Sequence, residues 1–180
     1  MINITLNDGS LKNFPKGTSV FDIAKNISEG FARNVISAKF NDVAVETTTK
    51  LNGDGVLVFF TWENEDGKKA FWHSSSHILA QALQELYKDV KLTIGPAIDR
   101  GFYYDVDFGE NSISEKDFKN IESKMLEIAR GKHDFKMRSV SKKEALDLYS
   151  SEGNEYKLEL IKNLTDGEIT FCDHSNFTDL

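Results

Sequence analysis

The chain has a single cysteine, Cys172, among its 180 residues. One thiol excludes an internal disulfide framework and agrees with a reducing compartment. No stretch approaches the roughly 18 consecutive apolar residues of a membrane span. The start, Met1-Ile2-Asn3-Ile4, lacks the basic region and apolar core of a secretory signal. These absences predict a cytoplasmic protein with no membrane partner. Positive charge is also scarce, with 22 Lys and Arg against 29 Asp and Glu and a net charge of −7. The imbalance is local: six Lys/Arg match six Asp/Glu in residues 1–62, whereas residues 63–180 carry sixteen against twenty-three. A protein that holds nucleic acid by its own field is basic, because phosphate neutralisation supplies much of the affinity. Any RNA contact must therefore rest on local patches or on parts outside this chain. No G-x-x-x-x-G-K-[ST] loop occurs, which argues against a GTPase.

What is present is the composition of a soluble globular protein, 39% apolar and 28% charged, long enough for one ordinary domain or two small ones. The first 60 residues read as ββαββ. Ile2 to Leu6 is a strand, Asp8-Gly9-Ser10 a tight turn, and Leu11 to Phe14 a returning strand. Ser19-Val20-Phe21-Asp22 fits a capping box. Val20, Ile23, Ala24 and Ile27 follow at i, i+3, i+4 and i+7, the apolar stripe of a helix. Val35 to Phe40 and Val43 to Val45 read as strands joined by Asn41-Asp42. Gly53-Asp54-Gly55 leads into Val56 to Phe60, a run apolar enough for a buried central strand. One helix on a small mixed sheet is the ubiquitin-like, β-grasp arrangement. The polar segment Trp62 to Lys69 carries a turn signal and marks a domain boundary, giving domains 1–62 and 63–180.

The second domain opens with a helix from about Ala70 to Tyr87. A Thr93-Ile94-Gly95-Pro96 corner leads to an aromatic strand around Gly101 to Val106. Ser114 caps a long helix whose buried stripe is Phe118, Ile121, Met125 and Ile128, with Gly131 as its C′ stop. Phe135 to Val140 reads as a strand, and Ser141-Lys142-Lys143-Glu144 as a second capping box. The helix it opens stops near Gly153. A short helix from Tyr156 to Leu164 and a strand from Glu168 to Asp173 close the chain. The whole is α+β, with the second domain's helices on a mainly antiparallel sheet.

His73-Ser74-Ser75-Ser76-His77 is the sharpest candidate for chemistry. Residues four apart on a helix lie one turn above another, so both imidazoles point the same way. That geometry suits two metal ligands, or a base and a partner that position a water. Zinc proteases place Glu directly after the first His; Ser74 stands there, so that reading fails. Two polar residues on a half-exposed helix face remain the plain alternative. Cys172 and His174 would share one strand face, but two residues do not make a metal site. His133, after the Gly131 stop, suits the negative end of a helix dipole. Asp105 and Asp107 read as the solvent face of a strand, and Phe102, Tyr103 and Phe108 as core. Lys142-Lys143 reads as a solvated helix start.

H-S-S-S-H-I-L-A-Q-A-L, I-G-P-A-I-D-R-G-F-Y-Y-D-V and E-Y-K-L, in that order, resemble the editing domain of threonyl-tRNA synthetases, which is related to that of alanyl-tRNA synthetases. The preceding 60 residues resemble the TGS domain that opens the same enzymes. The resemblance covers essentially the whole chain and implies an N-terminal fragment of such an enzyme. It implies that His73 and His77 line an editing pocket and that Lys157 takes part in hydrolysis. It also implies that Tyr104 lines the pocket and that Asp179 is the acidic residue before the family's last motif. That motif, a Cys followed four positions later by a His, would begin just after Leu180. The implied reaction is hydrolysis of seryl-tRNA specific for threonine. Ester hydrolysis needs a positioned water, a base near neutral pH and stabilisation of an oxyanion. The full enzyme would ligate threonine to tRNA-Thr with ATP, magnesium and zinc in a catalytic domain absent from these residues, and would form a homodimer through C-terminal domains also absent. A structural or catalytic zinc wants three or four protein ligands. Only His73 and His77 are present from the alanyl branch's set, so no tightly bound metal and no cofactor is expected in this fragment. TGS domains also occur in GTPases and stringent-response regulators, which the missing P-loop and the His-containing second domain disfavour. A free-standing editor acting in trans would need the Cys/His motif in the same chain.

Overall fold

Alternation of apolar and polar side chains sets the first strand: Ile2, Ile4 and Leu6 are buried along β1 (Ile2–Leu6) and Asn3 is exposed. The computed structural model describes residues 1–180, which form two compact units, Met1–Phe71 and Trp72–Leu180. In the first, β2 (Leu11–Phe14), β3 (Thr18–Ser19), α1 (Val20–Ile27), α2 (Glu29–Asn34), β4 (Ser37–Phe40), β5 (Val43–Val45), β6 (Lys50–Leu51) and β7 (Gly55–Phe60) follow β1. The main sheet runs β2-β1-β7-β4-β5, with β1 and β7 parallel and the other pairs antiparallel. A separate pair, β3 and β6, lies outside it.

β7 is central, as its apolar run predicts, but it is buried on one face only. Leu57 and Phe59 face the core, whereas Val56 is 48% exposed. Helices cover one side of this sheet, so alternate residues remain near solvent. Ser19 caps α1 through a bond from the Asp22 amide at 3.1 Å. The Asp22 carboxylate takes the Ser19 hydroxyl at 2.6 Å. Val20, Ile23 and Ala24 fill the core, but Ile27 is 41% exposed. The reason is local: α1 stops at Ile27, and Ser28 caps a second helix, accepting from the Phe31 amide. That second helix brings Ala32 into the core and sets Phe31 edge-on to Phe59, centroids 5.4 Å apart.

The polar segment predicted as a boundary is helical from Glu65, where α3 (Glu65–Leu86) begins. Its turn signal, Gly67, serves close packing instead. A Cβ there would collide with the Thr61 carbonyl.

In the second unit the rest of α3 is followed by β8 (Lys91–Leu92), β9 (Ala97–Ile98), β10 (Gly101–Phe102), β11 (Val106–Asp107), α4 (Glu115–Arg130), β12 (Phe135–Ser139), α5 (Lys142–Ser151), α6 (Glu155–Lys162), β13 (Thr170–His174) and β14 (Phe177–Asp179). Every ladder is antiparallel: β8 with β11, β9 with β10, and β12-β13-β14 in one sheet. The aromatic strand expected over Gly101 to Val106 is broken into β10 and β11, with Tyr103-Tyr104-Asp105 between them. Asp117 caps α4 by accepting the Ser114 amide at 2.8 Å and hydroxyl at 3.0 Å. Only Ile121 and Ile128 of the expected stripe are buried; Phe118 is 50% exposed. Gly131 is right-handed, and the left-handed residue after the helix is Lys132, at φ 53°. The unit's main core joins Val140, Ala145, Tyr149, Ile161, Ile169 and Phe171.

Candidate functional site

Three elements and one irregular segment of the second unit meet at a carboxylate. On α3, His73 and His77 stand edge to face, centroids 4.6 Å apart, with Nε2 to Nε2 at 3.1 Å. Ser76, between them and fully buried, donates its hydroxyl to the His73 carbonyl at 2.7 Å. His77 Nδ1 lies 2.9 Å from Oδ2 of Asp179 on β14. Alternation along β14 buries Phe177 and Asp179 and leaves Thr178 between them half-buried.

Lys157 comes from the first turn of α6, whose N-cap is Asn154. Its ammonium is 2.7 Å from Asp179 Oδ1, with both side chains 2% exposed. Tyr104, from the segment between β10 and β11, donates its hydroxyl to Asp179 Oδ2 at 2.6 Å. Lys157 Nζ also lies 3.4 Å from the Tyr104 hydroxyl. The Leu180 amide gives Oδ1 a second donor at 2.9 Å. Asp179 thus accepts four bonds, about the capacity of an ionised carboxylate.

Burial works to raise the Asp179 pKa, but the hydrogen bond from His77 and the Lys157 charge overcome it and hold the carboxyl well below the usual carboxylate range. Burial and the Asp179 charge push Tyr104 far up, so it stays a phenol and a donor. Partial desolvation, and then the neighbouring His77, lower the His73 pKa and favour its neutral ring, although the residue keeps an exposed face. An ionised Asp179 requires a proton on His77 Nδ1. Where the His77 ring carries only that one proton, its Nε2 accepts from His73 Nε2. His73 Nδ1 is left as the basic nitrogen. No third His, Cys, Asp or Glu completes a metal-binding group around the pair.

The structure therefore brings together His73, His77, Tyr104, Lys157 and Asp179. Cys172 and His174 stay out of that cluster. Cys172 is buried, and His174 bonds Gln81 Oε1 at 2.8 Å while stacking on Phe135 at 4.3 Å. His133 stands edge-on to His174. Asp107, expected as a solvated strand residue, accepts from the Tyr156 hydroxyl at 2.7 Å and from the Gly109 amide. Sequence reasoning missed Asn154 and Gln81. Asn154 precedes E-Y-K-L as an N-cap should, and Gln81 continues the His73, His77 stripe by one more turn.

A family model described as the TGS domain matches residues 2–61. The whole chain is 63% identical over 180 residues to the threonine–tRNA ligase of Flavobacterium psychrophilum, and equally to that of Flavobacterium johnsoniae. The threonine–tRNA ligase of Caldanaerobacter subterraneus is 47% identical over 178 residues, 98% of this chain. In each case the chain spans only 28% of the relative's length. All 180 residues of this chain therefore align with a segment of these threonine–tRNA ligases, and residues 2–61 match the TGS domain.

Proposed function

We propose that this chain is the proofreading part of a cytoplasmic threonine–tRNA ligase, and that its second unit hydrolyses seryl-tRNA-Thr. The observation that supports it most is the buried Asp179 carboxylate, which takes bonds from His77, Lys157 and Tyr104, with the more exposed His73 bonded to His77. Proofreading answers a limit on binding. Threonine and serine differ by one methyl, which a pocket reads as only ~1–3 kcal/mol. A second site that excludes threonyl and cleaves the seryl ester adds the missing discrimination.

In this reading His73 accepts a proton from the water that attacks the ester carbonyl carbon. The tetrahedral intermediate then collapses, the bond to the ribose oxygen breaks, and the same proton passes to that oxygen. Serine and free tRNA leave. His77, tied to Asp179, holds His73 in its basic tautomer. The Lys157 ammonium supplies positive potential for the oxyanion, and Tyr104 lines the pocket with its hydroxyl given to Asp179. The whole enzyme would use ATP and magnesium to charge tRNA-Thr, with zinc in a catalytic domain outside this chain, and would dimerise through other domains.

The test is serine release from seryl-tRNA-Thr, with threonyl-tRNA-Thr and His73→Ala as controls. Release selective for the seryl ester and lost in the variant is expected. Equal cleavage of both esters, or release untouched by His73→Ala, would remove the reading.

A further inference from the structure

Lys157 and Tyr104 both close on Asp179 from elements with no direct sequence link, so something must set the spacing between them. The Asn154 amide joins those elements. Its Oδ1 accepts from the Lys157 backbone amide at 3.1 Å, which caps α6. Its Nδ2 donates to the Leu92 carbonyl at 2.9 Å, across 62 residues of chain. Leu92 pairs with Val106 in the β8–β11 ladder. Beyond that pair, Thr93 donates to the Asp105 carbonyl at 3.0 Å and Asp105 donates to the Ile94 carbonyl at 2.9 Å. These bonds fix the backbone on one side of Tyr104. One buried side-chain amide therefore ties the helical turn that carries Lys157 to the strand pair that adjoins the Tyr104 segment.

Two outer contacts run in parallel. Glu155 takes the Lys91 ammonium at 2.6 and 2.8 Å, and Tyr156 donates to Asp107 at 2.7 Å. Three consecutive residues before Lys157 thus grip the same ladder. The Lys91–Glu155 pair is exposed and weak by its solvation. Asn154 is buried, with both ends of its amide satisfied, so it holds the tighter tolerance.

We propose that Asn154 is a positioning residue that sets the Lys157–Tyr104 separation and so the pair of donors that hold Asp179 behind His77. The proposal rests on the hydrolytic reading above. Two substitutions isolate the tie. Asn154→Ser keeps an N-cap acceptor but cannot reach Leu92. Asn154→Asp keeps size and cap but replaces the donor by an acceptor. Ile161→Val, on the core face of the same helix, serves as a control for lost stability alone.

Two readouts are taken on each variant: kcat and KM for serine release, and the NMR resonances of the Lys157 ammonium and the Tyr104 ring. With Asn154→Ser or Asn154→Asp, kcat should fall about ten- to a hundredfold with KM within about twofold, the scale set by small misplacements of catalytic groups. Both resonances should move, and Ile161→Val should change neither kcat nor the resonances. Unchanged resonances, or moved resonances with wild-type kcat, would overturn the proposal. A parent chain that releases no serine would overturn the hydrolytic reading instead. The resonances would then still decide whether Asn154 sets the spacing.

Discussion

Lys157 Nζ and Asp179 Oδ1 lie 2.7 Å apart with both side chains almost fully enclosed. A buried ion pair of this kind gives little net stability against an apolar replacement, yet losing one partner is costly, because the other is left charged in a low dielectric. Asp179→Asn should therefore destabilise the fold by ~3–5 kcal/mol. Adding Lys157→Met should recover a large part of that loss. Urea unfolding of the two single variants and the double variant checks this. Additive losses in the double variant would show that the two groups are not coupled.

His73 makes stability depend on pH in the opposite sense from a salt-bridged histidine. Its folded pKa is lowered, by burial first and His77 second. Between the unfolded value, ~6.5, and that lower folded value, the unfolded chain binds more protons. Stability must then fall as pH falls through this window. His174 is lowered for the same leading reason and adds to the slope. Asp179, held low, acts only in stronger acid, where stability is lost as pH drops through its depressed folded pKa. Thermal unfolding from pH 7.5 to 5 should show a shallower slope in His73→Gln than in the parent chain. Serine release should fall as pH drops through the lowered folded value, where the base is protonated.

Much of this site was readable because helix geometry is periodic. Four-residue spacing put His73 and His77 on one face without any knowledge of their surroundings. Asp179, Tyr104 and Lys157 were different. They lie 75, 53 and 22 residues apart in their pairings, and no local pattern links them; only likeness to a family pointed to them. The fold shows the same division. β1 and α1 announced themselves by alternation and by a stripe, whereas β3, β6 and β8 to β11 are two residues long, too short to have a period. α2 was missed because Ser28 ends one helix and starts the next within a single residue.

The Gly95 corner is a second case of function through packing. A Cβ at Gly95 would overlap the Tyr104 ring. Gly95→Ala should push Tyr104 off Asp179, lower serine release and cost about 1–3 kcal/mol of stability, the usual range for overpacking. In a Tyr104→Ala background the added methyl has room, so the stability cost should nearly vanish. A cost that persists there would mean that Gly95 is required for its backbone and not for the ring.

Tyr149 presents the reverse situation, a buried polar group whose removal should do no harm. Its ring packs edge-on against Phe171, centroids 5.9 Å apart, and the residue is 2% exposed. Its hydroxyl has no hydrogen-bond partner and lines a cavity of about 60 Å³ shared with Glu152, Asn154 and Lys157. An unsatisfied buried hydroxyl carries its full desolvation cost, ~1–3 kcal/mol. Tyr149→Phe keeps the ring and removes the cost, so the variant should be as stable as the parent or more stable by roughly 1 kcal/mol. Burial, followed by the charges of Asp179 and Glu152, pushes the Tyr149 hydroxyl's pKa far up, so no ionised form complicates the comparison near neutral pH. Chemical denaturation of the two proteins at pH 7 decides it. A loss of more than about 1 kcal/mol in Tyr149→Phe would show that the hydroxyl makes a favourable bond in solution.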